Sequence, residues 1–296
     1  MSEFFLELFS EEIPAGLQKN LREKIFKDFK NLFEEKSIVS KKNFSFSTPN
    51  RLVLVFEGLD KQIKIKSKEI RGPKTSAPEK ALEGFLRSNK INKNNLFKKK
   101  TDKDEFYFYK TAATSLKTHD LLTEFIPKIL NNYQWKKSMK WGEFDLNWGR
   151  PLKSILSIFD KKIINFQFHH LVSSDQTFLD KDFEDKKKSF ENFKNYEKFF
   201  EKNSVIINQN KRLNIINKSF SKILEKKGLK INENPKLMEE VINLVDNPNV
   251  LSCKFDKKFL SVPKEILTLT METHQKYFPT FNDKNEITNE FLIVTN

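Results

Sequence analysis

The sequence predicts an α+β fold, mixed or antiparallel sheets with packed helices, on three observations. Leu17, Leu21, Ile25, Phe29 and Leu32 recur at three-to-four spacing, the mark of an amphipathic helix. Arg51-Leu-Val-Leu-Val-Phe56 is a β-branched run with strand character. Along the rest of the chain helical and strand patterns mix without the regular alternation that builds a doubly wound sheet.

Residues 4–9 read as a short strand closed by Ser10-Glu-Glu-Ile-Pro14, a helix start, and the helix runs to about Glu35. A turn around Thr48-Pro-Asn leads into the 51–56 strand. Ile63, Ile65 and Ile70 extend a second strand whose alternate positions are lysines. Residues 77–88 read as a helix with Pro78 in its first turn. Leu96-Phe97 and Phe106–Tyr109 form a hairpin about a Thr101-Asp-Lys-Asp turn. The helix at 116–130 should kink or split at Pro127. A second hairpin, 154–159 with 163–168, turns at Asp160-Lys161. The polar, weakly periodic 173–194 span reads as a loop. Helices follow at 191–202, 209–227 (capped by Gly228) and 236–245, then strands at 250–253 and 290–294. A boundary near 115–140 gives two lobes, 1–134 and 135–296, the second with an insertion at 173–190.

With 296 residues, 38% hydrophobic and 30 Phe, the chain can build a sizeable core. No run of ~18 apolar residues spans a membrane, and the acidic N-terminus is no signal peptide. The single cysteine, Cys253, leaves no disulfide framework and fits a reducing cytosol. The chain is expected to be soluble and cytoplasmic.

The formal charge of +14 favours a polyanionic partner such as nucleic acid. Yet 48 of the 54 basic residues are lysine, which AT-rich codon usage alone would produce. In that background an arginine marks a place where a planar, bidentate fork is needed. The six are Arg22, Arg51, Arg71, Arg87, Arg150 and Arg212, and four of them sit beside Gly or Pro at turn-like sites. Pairing of Arg51 or Arg87 with an acid is an equal reading.

No Gly-rich phosphate loop exists among seven scattered glycines. Lys136-Lys-Ser-Met-Lys140 has the wrong order for a K-M-S-K-S nucleotide loop, and no H-I-G-H accompanies it. His119-Asp120 lacks the further ligands of a phosphohydrolase. His169-His170, Cys253 and His274 offer no i, i+3 or i, i+4 metal pair. The chain reads as a binder, with no catalytic residue, cofactor site or metal site of its own.

One stretch, Met271-Glu-Thr-His-Gln-Lys-Tyr-Phe-Pro-Thr-Phe281, is specified beyond what a strand or helix requires. It resembles the M-x-x-H-Q-K-Y-F-P motif of the β subunit of bacterial heterotetrameric glycyl-tRNA synthetase. Leu6–Pro14 resembles that family's opening strand and E-E-L-P turn, and Phe46–Val55 its A-T-P-R-R-L strand. Arg71-Gly-Pro73, Ala81–Ser88, Met139-Lys-Trp-Gly142, Gly149-Arg-Pro151, Glu239-Glu-Val241 and the Phe291–Asn296 strand fall in the family's order. The colinear set covers essentially the whole chain.

The resemblance implies lobes similar to the B3/B4-type domains of phenylalanyl-tRNA synthetase. It implies an α2β2 ligase attaching glycine to its tRNA, in which the α subunit holds the active site with ATP and Mg2+ and the β subunit binds glycine tRNA. The family's HD-type and anticodon-binding domains are missing here, and the chain stops in a strand at Phe291–Asn296, so an N-terminal fragment is expected. Candidate tRNA contacts are Arg51, Arg71, Lys74, Arg87, Lys140, Arg150 and Lys276, with Trp141 or Tyr277 against an unpaired base. For His274 and Gln275 the favoured reading is a structural hydrogen-bond network at the strand corner. Thr177-Phe-Leu-Asp-Lys-Asp-Phe183 departs from the family's T-R-G-H-R-F, so no ligand or editing role carries over to that loop. The alternatives are an assembly scaffold for the α subunit and a B3/B4-like tRNA-editing hydrolase.

Overall fold

The computed structural model describes residues 2–65, 67–101, 104–179 and 186–296. In chain order the elements are β1 (Glu3–Ser10), α1 (Ala15–Glu35), β2 (Lys42–Ser47), β3 (Arg51–Glu57), β4 (Gln62–Ile65), β5 (Glu69–Lys74), α2 (Glu79–Asn89), β6 (Leu96–Thr101) and β7 (Asp104–Lys110). β8 (Thr114–Lys117), α3 (Thr118–Asn131), β9 (Leu152–Phe159), β10 (Lys162–Ile163), β11 (Gln167–Phe168), β12 (Leu171–Val172), β13 (Gln176–Phe178) and β14 (Lys187–Ser189) come next. The chain continues through α4 (Phe193–Lys202), α5 (Gln209–Lys227), β15 (Lys230–Ile231), α6 (Pro235–Leu244), β16 (Asn249–Lys254), α7 (Lys264–Leu269), β17 (Phe278–Phe281) and β18 (Ile287–Thr295). All the paired strands among them run antiparallel, so the class is α+β as expected. The described residues of 1–60 and 122–296 cluster as one unit and those of 61–121 as a second. That partition differs from the division at 134/135 read from the sequence.

The first unit is built on a five-stranded sheet of order β10-β9-β1-β3-β2. β1 reads Glu-Phe-Phe-Leu-Glu-Leu-Phe-Ser and is buried from Phe4 to Ser10, because both of its faces are covered. On one face Phe4 meets Phe29 and Phe33 of α1 at ring-centroid distances of 5.3 and 6.4 Å. On the other, Phe5, Val53, Val55, Leu156 and Ile158 join Phe193, Tyr196 and Phe200 of α4 in one apolar cluster. α4 presents those three residues by i, i+3, i+7 spacing. The β9–β10 hairpin turns at Asp160 and Lys161, both at positive φ (49° and 65°). That pair of left-handed residues suits the twist of a two-residue hairpin.

A second sheet in this unit, β15-β17-β18-β16, packs Phe278 and Leu292 against Ile216 and Phe220 of α5 and Leu237 and Val241 of α6. α5 stops at Gly228, at φ 63°, the C-cap its sequence predicts. Gln18 of α1 donates to the Asn243 carbonyl at the end of α6 at 2.7 Å, and Asn243 Nδ2 returns a bond to the Ala15 carbonyl.

Two expectations change. α3 runs unbroken through Pro127, so the helix is not split there. The 173–190 span is not a detached insertion in its described parts. β13 pairs with β14, Ser174 bridges to Leu156, and Ser173, Thr177 and Phe178 are buried, because Phe178 has an apolar partner in Phe9 at 5.3 Å. Residues 180–185 of the divergent loop lie outside the described residues.

The second unit has a three-stranded sheet, β5-β7-β6, a β4–β8 ribbon and α2. Gly72 is required where the backbone draws close. A Cβ there would stand 3.0 Å from the Phe85 ring and 3.1 Å from the Tyr107 carbonyl.

Candidate functional site

The β1 run Phe-Leu-Glu-Leu-Phe carries one acid into a strand that is buried on both faces, and a buried carboxylate needs partners. Register places Phe9 opposite Arg51 and Glu7 opposite Val53, so Glu7 and Arg51 share the face under α4. Arg51 Nε lies 3.1 Å from Glu7 Oε1, and the Tyr196 hydroxyl donates to the same oxygen at 2.5 Å. Arg51 also donates to the carbonyls of Phe178 (2.9 Å) and Leu179 (3.2 Å), and its guanidinium sits 4.6 Å from the Phe9 ring and 4.5 Å from the Phe200 ring. Burial pushes the Glu7 carboxyl up, against the pull of the guanidinium, and burial with the adjacent Glu7 pushes the Tyr196 phenol far up.

Beside this group, Arg212 of α5 is fully buried and spends its fork on backbone carbonyls: Nε to Ile242 at 3.1 Å, one terminal nitrogen to Ile206 and Ile207, the other to Ser47 at 2.7 Å. Burial lowers its pKa to about 10, which leaves it charged at neutral pH. Arg22 of α1 donates to the Ser47 hydroxyl at 2.8 Å. The Asp246 carboxyl, pushed up by burial, is held back by the charges of Arg51 and Arg212. Three of the six arginines therefore tie strands and helices together. Arg51, expected on tRNA, is 3% exposed and has no fork left for a phosphate; it belongs to the core, not to a contact surface.

The surface candidates fall in two places. In the second unit Arg71 is exposed and lies over the Phe106 ring at 3.6 Å, with Lys74 at 5.9 Å from the same ring. Lys74 also pairs with Asp104 at 2.6 Å, while Lys99 pairs with Glu69 and Lys98 with Glu105. Arg87, in the last turn of α2, is exposed. Between 61 and 121 there are sixteen Lys and Arg against seven Asp and Glu, so this short unit carries most of the net charge of +14.

The other candidates lie in the first unit. Lys140 is exposed, 3.8 Å from Asp145. Arg150 is half-buried and donates Nε to the Glu12 carbonyl at 3.2 Å, bracing the Glu-Glu-Ile-Pro turn. The segment Thr270–Gln275 is a wide π turn, closed by Lys276 at φ 60° with the Lys276 and Tyr277 amides both donating to the Met271 carbonyl. Lys276 Nζ then bonds the Thr273 carbonyl and Glu240, each at 2.9 Å. Tyr277 stacks on Phe291 at 4.9 Å. His274 and Gln275 are exposed and, among the described residues, their side chains make no hydrogen bond; Lys276 and the backbone hold this corner instead of the expected side-chain network. His169 and His170 form a tight turn and face different partners, Asn131 at 3.0 Å and the Phe144 ring at 3.7 Å.

Among the described residues no three His, Cys, Asp or Glu side chains group to hold a metal ion, and no helix is long and apolar enough to cross a membrane. Sequence reasoning missed Glu7, Tyr196 and Asp246. The readable signal was Glu7 itself, a lone acid inside an otherwise apolar strand.

Comparison with known proteins points to one class, the aminoacyl-tRNA synthetase subunits: a family profile described as glycyl-tRNA synthetase beta subunit matches residues 4–296. The chain belongs to the glycyl-tRNA synthetase beta subunit family. It is 39% identical over 296 residues to the glycine–tRNA ligase beta subunit of Rickettsia bellii, covering all of this chain and 45% of that protein. Identity to the protein of the same name is 38% in Rickettsia conorii, with 44% of it covered, and 37% over 298 residues in Rickettsia felis, with 45% covered. The chain spans less than half the length of these relatives.

Proposed function

We propose that the chain acts within a glycine–tRNA ligase as part of its non-catalytic β subunit, gripping tRNA in the cytoplasm while an α subunit supplies the active site with its ATP and magnesium. The observation that carries this reading is the concentration of basic charge between 61 and 121, with Arg71 held flat and exposed over Phe106. A guanidinium stacked on a ring keeps its N–H groups aimed outward, where they meet phosphate oxygens or the edge of an unpaired base. Arg71, Lys74 and Arg87 are the contacts this unit offers. Lys140 remains a candidate from the first unit, whereas Arg150 and Lys276 are partly committed to carbonyls and Glu240.

The test is fluorescence anisotropy of the chain with glycine tRNA and an unrelated tRNA across a salt series. Tighter binding of glycine tRNA that persists near physiological salt supports the reading. Equal binding of both, lost as salt rises, would reduce the lysines to a solvating coat.

A second reading, a scaffold for the α subunit, is favoured by α7, where Ile266 and Leu269 are 55% and 59% exposed. Co-elution with the α subunit that is lost in I266D/L269D, with tRNA affinity unchanged, would select it. The hydrolase reading gains nothing here, since exposed His274 has no hydrogen-bond partner to orient it among the described residues.

A further inference from the structure

α4 has three chemically distinct faces. Phe193, Tyr196 and Phe200 enter the core. Glu197 and Glu201 are both taken by one cation, Lys211 of α5, at 2.9 and 2.7 Å. The remaining face, with Asn195, Lys198 and Lys202, joins Lys188 and Ser189 of β14 in an open cavity of about 490 Å3. Lys188 Nζ is poised 4.2 Å from the Phe199 ring, which fixes its direction. Among the described residues Lys188, Lys198 and Lys202 make no ion pair, and Glu191 is the single acid on the cavity wall. This sets them apart from Lys74, Lys98 and Lys99 of the second unit, each of which has an acid within 4.0 Å.

Three unneutralised cations around one hollow repel one another, and a polyanion seated among them would relieve that repulsion. Lys198 and Lys202 are one helical turn apart, a rise of ~6 Å at 1.5 Å per residue, which matches the step between successive phosphates of a nucleic-acid strand. Asn195 and Ser189 add neutral polar groups for phosphate or sugar oxygens.

We infer that the β14–α4 cavity is a binding site for the phosphodiester backbone of an RNA strand, with Lys188, Lys198 and Lys202 as its phosphate contacts. This rests on the reading that the chain grips RNA and adds to it a contact outside the 61–121 unit. The site reads backbone, not sequence, so its loss should weaken glycine tRNA and any other tRNA alike.

The test uses the 296-residue chain and two readouts. In the first, lysine acetylation of the unaltered protein is mapped with and without tRNA, and with inorganic phosphate in place of tRNA. Protection of Lys188, Lys198 and Lys202 by tRNA but not by phosphate supports the site; protection by both at equal phosphate concentration makes it a free-phosphate site and overturns the backbone assignment. In the second, K188A/K198A/K202A is compared with R71A/R87A in the salt series. The triple variant should flatten the slope of log affinity against log salt by about two to three, at roughly 0.7–0.9 per phosphate contact. A slope changed by R71A/R87A alone, with no protection at 188, 198 or 202, overturns this site and leaves the functional proposal standing. No tRNA binding by the unaltered chain overturns both.

Discussion

Glu7 and Arg51 occupy neighbouring antiparallel strands on one sheet face, with Nε 3.1 Å from Oε1 and exposures of 0% and 3%. The pair pins β1 and β3 beneath α4, and Arg51 extends the tie to the Phe178 and Leu179 carbonyls. Removing one member strands the other in a dry site. Arg51→Ala should lower stability by ~3–5 kcal/mol, read as a shifted urea midpoint. Arg51→Lys should recover little, because an ammonium cannot serve a carboxylate and two carbonyls with one planar fork. Any loss of tRNA affinity in these variants should track the unfolded fraction; a well-folded Arg51→Ala protein with weakened tRNA binding would return Arg51 to the contact surface.

The same site sets a pH dependence. Glu3, Glu7 and Asp246 all have carboxyls pushed up by burial. Between the ordinary carboxylate range near 4 and their raised folded values, the folded protein binds more protons than the unfolded chain, so stability falls as pH rises through that window. Glu290 works the other way: hydrogen bonding to Lys227 lowers it, so its contribution is present above the ordinary range and is lost as pH falls through its folded value. Glu7→Gln removes one titrating carboxyl from the first set. Urea midpoints measured from about pH 4 to about pH 8 should then decline less steeply than in the unaltered chain. An identical slope would mean that Glu7 binds protons equally in the folded and unfolded chain, with no raised carboxyl.

Arg212 offers a cleaner case, since all its hydrogen bonds among the described residues go to carbonyls and a lysine would keep the charge that faces Asp246. Lysine supplies three donors from one point and cannot span Ile242 and Ser47 at once. Arg212→Lys should cost about 2–3 kcal/mol through carbonyls left dry and unpaired, with no change in the salt slope of tRNA binding. Thermal unfolding reports the first and anisotropy the second.

Local signals in the sequence were readable, and partnerships across the fold were not. The Leu17–Leu32 spacing delivered α1, the apolar run at 51–56 delivered β3, and Gly228 ended α5 where it should. β2, Lys-Asn-Phe-Ser-Phe-Ser, lies outside the strands expected from the sequence, although Phe44 and Phe46 alternate with polar residues as a half-buried strand does. The arginine argument was sound in its physics and incomplete in its targets. Arg22, Arg51 and Arg212 do mark places that need a fork, but the fork meets Ser47, Glu7 and backbone carbonyls. Nothing local distinguishes a carbonyl from a phosphate as the acceptor; only the burial of Glu7 and Ser47, settled by residues far along the chain, decides it.

Gly149 carries a steric prediction. A Cβ at this position would stand 2.2 Å from the Trp135 ring, which itself packs edge-on to Trp148 at 5.0 Å. Gly149→Ala must displace the indole, costing about 1–3 kcal/mol and shifting the tryptophan emission. Unchanged emission and stability would mean that the Trp135 side chain moves freely enough to give way.

Arg71 and Lys74 share the Phe106 ring, yet their situations differ. Arg71 has a stacked guanidinium with its edge outward, whereas Lys74 is already neutralised by Asp104 at 2.6 Å. An exposed ion pair of that kind contributes ~0–1 kcal/mol, so phosphate can compete for Lys74, at the cost of freeing Asp104 beside the RNA. Arg71→Glu should therefore lower the salt slope of tRNA binding by about one and weaken affinity at low salt, and Lys74→Glu should do less. Asp104→Asn provides the discriminating measurement. If Lys74 contacts phosphate, releasing it from Asp104 raises tRNA affinity. If affinity is unmoved by Asp104→Asn while Arg71→Glu still flattens the slope, the contact belongs to Arg71 alone and Lys74 serves the β5–β7 edge.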